Sequence, residues 1–174
     1  MVKQYDGKLR VVYKNMVVHP QIVMLGHQAG CAASKQGKFV EFRHAWWDKA
    51  YAPYAAAHDP SKLGESTIMD IAKDLKLDTA KFKTDMDSAE CKAHVQQDMA
   101  ELNKWHVNST PSFFMDGKPF RWNGSPDASG FKPQIDAELQ KVQSSGVPCG
   151  EYYDKEVMGK GEKQFRSAKD PKPS

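Results

Sequence analysis

From Gln21 to about His106 the chain carries helical periodicity and almost nothing else, and this constrains the fold more than any other feature. Ile22, Leu25, Ala29, Ala32 and Ala33 recur at steps of three and four residues, as do Phe39, Phe42, Trp46 and Trp47. Gly37 predicts a break between two helices, and Ala52–Lys62, with Pro53 and Asp59-Pro60, predicts a loop. Ser66 is expected to cap a helix running to about Lys76, while Asp78 and Ser88 are expected to cap two more. Roughly ninety residues of helix therefore separate the strand-like segments at either end, with boundaries uncertain by about 2–4 residues.

Strand character is confined to two places. Leu9–Tyr13 (LRVVY) is a β-branched and aromatic run preceded by the turn pair Asp6-Gly7, and it predicts a strand. Pro111–Met115 predicts another, closed by an Asp116-Gly117 turn into a return strand over Lys118–Trp122. Ser125–Gly130 reads as a loop and Phe131 to about Gln143 as an amphipathic helix with Ile135, Leu139 and Val142 inward. The segment from Ser144 onward reads as an extended tail. Its Lys160–Lys172 charge run is most simply solvated. The fold class is α/β.

Composition narrows the function classes. The 174 residues are 40% hydrophobic and 27% charged, which is globular composition, and no uncharged apolar run is long enough for a transmembrane helix. A net charge of +3 is too small to argue for nucleic acid or an anionic membrane. No signal peptide is visible, because Met1–Tyr5 leads directly into polar chain. Nucleophile-elbow, metalloprotease, Walker and dinucleotide-binding patterns do not occur, and no cofactor is expected. His19, His44, His58 and His106 are scattered and read as structural or exposed.

The most specific segment is Trp105–Asp116, WHVNSTPSFFMD, just ahead of Gly117. It resembles the cis-proline loop of the thioredoxin fold in the form found in DsbA-like disulfide oxidoreductases. Residue statistics alone favour an ordinary trans bond before Pro111; the resemblance implies a cis one. The likeness extends to GKLRVVYKNMVVHP, similar to the family's strand after the active-site helix, and to QAGCAASKQGKFVEFRHAWW, similar to the start of its helical insertion. It continues through IAKDLKLDTAKFKTDMDSAECKAHVQQDMAELNKWHVNSTPSFFMDGKPF. The expected organisation is a thioredoxin-like domain over residues 1–143, with a helical insertion at about 21–106, and a C-terminal extension over 144–174.

The resemblance implies thiol–disulfide exchange on extended protein or peptide substrates in an extracytoplasmic, periplasmic setting. Thr110 and Pro111 would align the substrate strand. In the family this exchange runs through a C-x-x-C dithiol whose low-pKa thiolate is the nucleophile. None of Cys31, Cys91 and Cys149 forms such a pair. Met1–Tyr5 is expected to be the last turn of the helix that would carry it, so the chain reads as N-terminally incomplete and catalytically incomplete as given. A central strand is expected from a second copy or an upstream segment. The alternative is a non-enzymatic binding or dimerisation module, strand-swapped between copies.

Three readings apply to Cys31 and Cys91, both on insertion helices: buried inert thiols, a structural disulfide if the compartment is oxidising as the resemblance implies, or metal ligands. For the last, His27 and Cys31 are spaced i,i+4 and Cys91 and His94 i,i+3, a pattern that would suit zinc if the two faces met but that arises easily by chance. Cys149, in Gly-Val-Pro-Cys-Gly, reads as a surface cysteine and a candidate free thiol. The aromatic face of Phe39, Phe42, Trp46 and Trp47 reads as core, although in the family the insertion also lines a substrate groove.

Overall fold

Helix starts in the central segment follow from local chemistry, as the computed structural model shows for the residues it describes, 1–120 and 128–161. α1 (Pro20–Ser34) opens on proline, whose missing N–H would be unpaired at a first helical position anyway. Gly37, at φ 71°, ends the turn after it, and α2 (Phe39–Trp46) follows. α2 runs through a wide π-turn, Trp47–Tyr51, into α3 (Ala52–Ala57). The loop expected over Ala52–Lys62 is thus helical in its first half. Pro53 stands just after the π-turn at the start of α3, and the helix stops only at His58, in the left-handed region.

α4 (Glu65–Asp74) is capped by extended Gly64, so Ser66 lies inside the first turn instead of capping it. α5 (Thr79–Asp87) is capped by Asp78, whose carboxylate accepts the Lys81 N–H at 2.9 Å. α6 (Ala89–Lys104) begins at Ser88, whose hydroxyl accepts the Cys91 N–H at 3.1 Å and donates to the Asp85 carbonyl at 2.6 Å.

The described chain divides into two compact units. One is Lys14–Glu101, all helix and connection. Its main core gathers Phe42, Ile68, Ile71, Phe82 and Met86 around Ala29, Ala32, Ala33 and Ala72. The Phe42 and Phe82 rings lie 5.7 Å apart at a tilt. Side chains of this size, removed from water, each contribute about 1.5–3 kcal/mol. The small residues of α1 let bulky rings come close: a Cβ placed on Gly26 would lie 2.7 Å from the Trp46 indole. Phe42 and Trp46 therefore pack inward, whereas Trp47 is exposed and meets the Tyr51 ring at a tilt, with centroids 4.9 Å apart. Val17, Val23 and Val95 form a second cluster.

The other unit joins Met1–Tyr13 to the chain from Leu102 onward. Val2–Tyr5 is a 3-10 turn in which the buried Tyr5 donates its hydroxyl to Asp136 at 2.7 Å. β1 (Phe113–Met115) and β2 (Lys118–Phe120) form an antiparallel hairpin with Phe113 opposite Phe120. Asp116 and Gly117 both have positive φ, 46° and 76°, as a two-residue type I′ turn requires. Residues 121 and 122 of the expected return strand, and 125–127 of the expected loop, lie outside the described residues. α7 (Lys132–Ser144) follows a 3-10 turn at Ala128–Phe131, and Phe131 stacks on Phe120 at 5.2 Å.

Two further expectations need correction. Leu9–Tyr13 belongs to no strand, and the sheet among the described residues consists of β1 and β2 alone. A β-branched run becomes a strand only when a ladder partner takes up its N–H and C=O groups, and Val11 and Val12 instead stand 46% and 63% exposed. The segment after Ser144 is helical where an extended tail was expected. α8 (Cys149–Tyr152) starts at Pro148 and leads into a π-turn at Tyr153–Met158. The i,i+4 pairs Glu151–Lys155 and Glu156–Lys160 match that coil. The charge run from residue 162 onward lies outside the described residues. Among the described residues no helix is long and apolar enough to cross a membrane.

Candidate functional site

The Thr110–Pro111 loop is set up by the way α6 ends. His106 takes the left-handed conformation at φ 56°, the Val107 N–H reaches back to the Leu102 carbonyl at 2.9 Å, and the His106 N–H reaches Asn103 at 3.1 Å. These are the two bonds of a Schellman motif, and Val107 beyond it is buried. The chain is thereby turned out of the helix. Ser112 then donates its hydroxyl to the Ser109 carbonyl at 2.7 Å, closing a small turn around Thr110 and Pro111. The bond between those two residues is cis, and both are exposed, two residues ahead of β1. No backbone hydrogen bond joins Thr110 to another described residue. In the turn below, burial pushes the Asp116 carboxyl up from its usual range and nearby Glu138 adds to this, against the pull of Lys118.

In the helical unit, Cys31 on α1 and Cys91 on α6 are joined as a disulfide, with their Cα atoms 5.6 Å apart. Cys91 is fully buried and Cys31 half-buried. This pairing leaves no thiolate for a metal, and the histidines of the four-residue set point elsewhere. His27 Nδ1 lies 2.9 Å from Asn15 Oδ1, and His94 Nε2 lies 3.7 Å from Asp98. Hence His27, Cys31, Cys91 and His94 do not assemble as a ligand set. Among the described residues no group of three or more His, Cys, Asp or Glu is placed to hold a metal ion. Cys149 opens α8; its side chain lies outside the described residues.

A polar network that the sequence reading missed runs beside the disulfide. Asp98 is 2% exposed and is the one buried charged residue among those described. It accepts from the Asn15 backbone and amide at 2.9 and 2.7 Å, and Lys14 Nζ lies 3.1 Å away. Burial alone would raise its carboxyl, but the Asn15 hydrogen bonds and the Lys14 ammonium outweigh this and hold it below the usual range. Burial lowers the His27 imidazole, partly offset by the Asp98 charge. A signal was present in the sequence: Cys91, Val95 and Asp98 fall at helical spacing on one buried face, where a carboxylate demands partners.

The thioredoxin family model matches residues 1–137. The chain is 28% identical over 138 residues to the "Probable disulfide bond formation protein D" of Bacillus anthracis, covering 78% of this chain and 60% of that protein. The protein of the same name in Bacillus cereus gives 28% over 137 residues with the same coverage. The Na(+)/H(+) antiporter NhaA of Herminiimonas arsenicoxydans is 28% identical over 144 residues, which is 83% of this chain but 21% of the antiporter. The chain therefore spans three fifths of the disulfide bond formation proteins and one fifth of the antiporter.

Proposed function

The chain belongs to the thioredoxin family, in its DsbA-like branch, and from that premise we propose that it serves thiol–disulfide exchange on extended protein segments, with Thr110 and Pro111 as the docking edge. The observation that carries this reading is the exposed cis Thr110–Pro111 bond just ahead of the β1–β2 hairpin, following the Schellman end of α6. An extended substrate adds its backbone to such an edge by main-chain hydrogen bonding, which is indifferent to sequence and suits a protein that meets many partners. Exchange itself proceeds by thiolate attack on a disulfide sulfur through a mixed disulfide. The 174 residues carry no C-x-x-C, so their part in that reaction is to bind and orient. The reading takes residues 1–143 as the thioredoxin domain, 144–174 as its extension, and places the protein outside the cytoplasm.

Amide hydrogen exchange on the full chain tests the docking edge, with a reduced and carboxymethylated unfolded protein as probe. Added protection at residues 109–113 is expected. Saturating probe that protects other segments only, or none, would overturn the assignment.

A second reading is favoured by one observation: Val11 and Val12 stand exposed in a β-branched run outside any strand. In that reading Leu9–Tyr13 pairs with a strand from a second copy or an upstream segment, and the chain is a binding or dimerisation module. Light scattering decides it. A dimer that Val12→Lys converts to monomer supports strand pairing between copies, and a monomer at all concentrations removes that form of it.

A further inference from the structure

We propose that the Cys31–Cys91 disulfide is a thiol-exchange site in its own right, addressed by an incoming thiol through a cleft on the helical unit. The cleft has a volume of about 420 Å³ and is lined by Cys31 together with Lys35, Glu90, His94 and Gln97. Cys31 reaches this surface, whereas Cys91 is 0% exposed. Attack is thus restricted to one sulfur. The incoming thiol gives its proton to His94 or water, and its thiolate bonds to Cys31 Sγ as the Sγ–Sγ bond breaks. Cys91 leaves as a thiolate and takes up a proton. A second thiol then displaces the first from Cys31. Two thiols are oxidised to one disulfide and the protein cross-link is reduced to two thiols, so atoms and electrons balance.

The framework around the bond favours exchange over a purely mechanical link, because the two helices are tied on both sides of it without covalent help. One turn before Cys31, His27 reaches α6 through Asn15, which is bound to Asp98. One turn after it, the Lys35 ammonium is paired with Glu90 at 2.5 Å and with Asp85 at 3.2 Å. Val23 of α1 and Val95 of α6 share a buried cluster. Opening the disulfide therefore leaves α1 and α6 held in register, which lets the site be reduced and reoxidised while folded. The proposal does not depend on the docking edge at Thr110.

The test uses the full oxidised chain and reduced glutathione as probe, without denaturant, followed by acid quench, alkylation and peptide mapping. The expected result is a glutathione adduct on the Cys31 peptide and loss of the Cys31–Cys91 cross-link. The rate should rise in proportion to glutathione, with the far-ultraviolet circular dichroism unchanged, and Cys149→Ser should behave alike. Three results would overturn the proposal: an adduct on Cys91, a rate that levels off independent of glutathione, or reduction seen only once the helical signal is lost. Hydrogen exchange at residues 109–113 reports separately on docking, so failure of one idea leaves the other measurable.

Discussion

Asp98 on α6 accepts two hydrogen bonds from Asn15, one from the backbone N–H at 2.9 Å and one from the side-chain amide at 2.7 Å. A buried carboxylate thus clamps the segment that enters the helical unit. Removing it strands both Asn15 donors, whereas Lys14 keeps its Glu101 partner at 2.8 Å, and Asp98→Ala should destabilise the unit by about 1–3 kcal/mol. The folded carboxyl lies below its usual range, so its contribution is present above the unfolded value near ~3.9 and fades as pH falls through the folded one. Urea titrations of wild type and Asp98→Asn should differ at pH 7 and begin to converge only as pH falls below about 4. A difference that persists unchanged into acid would show that the charge is not what the clamp uses.

His27 carries the opposite kind of linkage. Its imidazole is lowered by burial, with Asn15 and Asp98 facing it, so the unfolded chain binds a proton that the folded one refuses. Stability is complete above about 6.5 and declines as pH falls from there toward the folded value. His27→Gln should flatten that decline while leaving the acid limb of Asp98 in place. Thermal melts between pH 7.5 and 5 measure it, and parallel slopes for the two proteins would count against this account.

The cross-link closes a loop of 60 residues. In the chain-entropy model such a closure is worth about 4 kcal/mol through the unfolded state. Cys31→Ser/Cys91→Ser should lower the urea midpoint of the helical unit accordingly while its far-ultraviolet spectrum is retained. An unchanged midpoint would mean that the reduced ensemble is already compact.

Gly26 and Trp46 form a close packing pair, with a Cβ on Gly26 only 2.7 Å from the indole. Alanine is the better helix former by about 1 kcal/mol, yet Gly26→Ala should be net destabilising, because displacing a half-buried ring costs about 1–3 kcal/mol. Gly26→Ala/Trp46→Leu should recover part of the loss. Additive effects in that double-mutant cycle would show that the two residues do not couple.

How far the molecule could be read from its residues depended on how local each signal was. The Asp78 and Ser88 caps act through hydrogen bonds within three residues, and both stand where the spacing put them. The Asp116-Gly117 turn is equally local, since both residues must tolerate positive φ. The thioredoxin relationship was legible from Trp105–Asp116 and its flanks because that segment combines a helix end, a proline loop and an aromatic hairpin in fixed order. The polar network was not, because Asn15, His27 and Asp98 are remote in sequence and meet only once α1 and α6 pack.

The sequence by itself determined the helical middle, the Asp78 and Ser88 caps and the hairpin, since 3.6-residue periodicity, capping side chains and turn residues act over a few bonds. Tertiary structure alone decided which chemistry each side chain would have. It joined Cys31 to Cys91 and withdrew both from metal ligation. It extended helix past Tyr51 through a π-turn that accommodates Pro53. It also left Leu9–Tyr13 outside any strand, because a strand's stability resides in its partner's backbone, and no local pattern specifies where that partner lies.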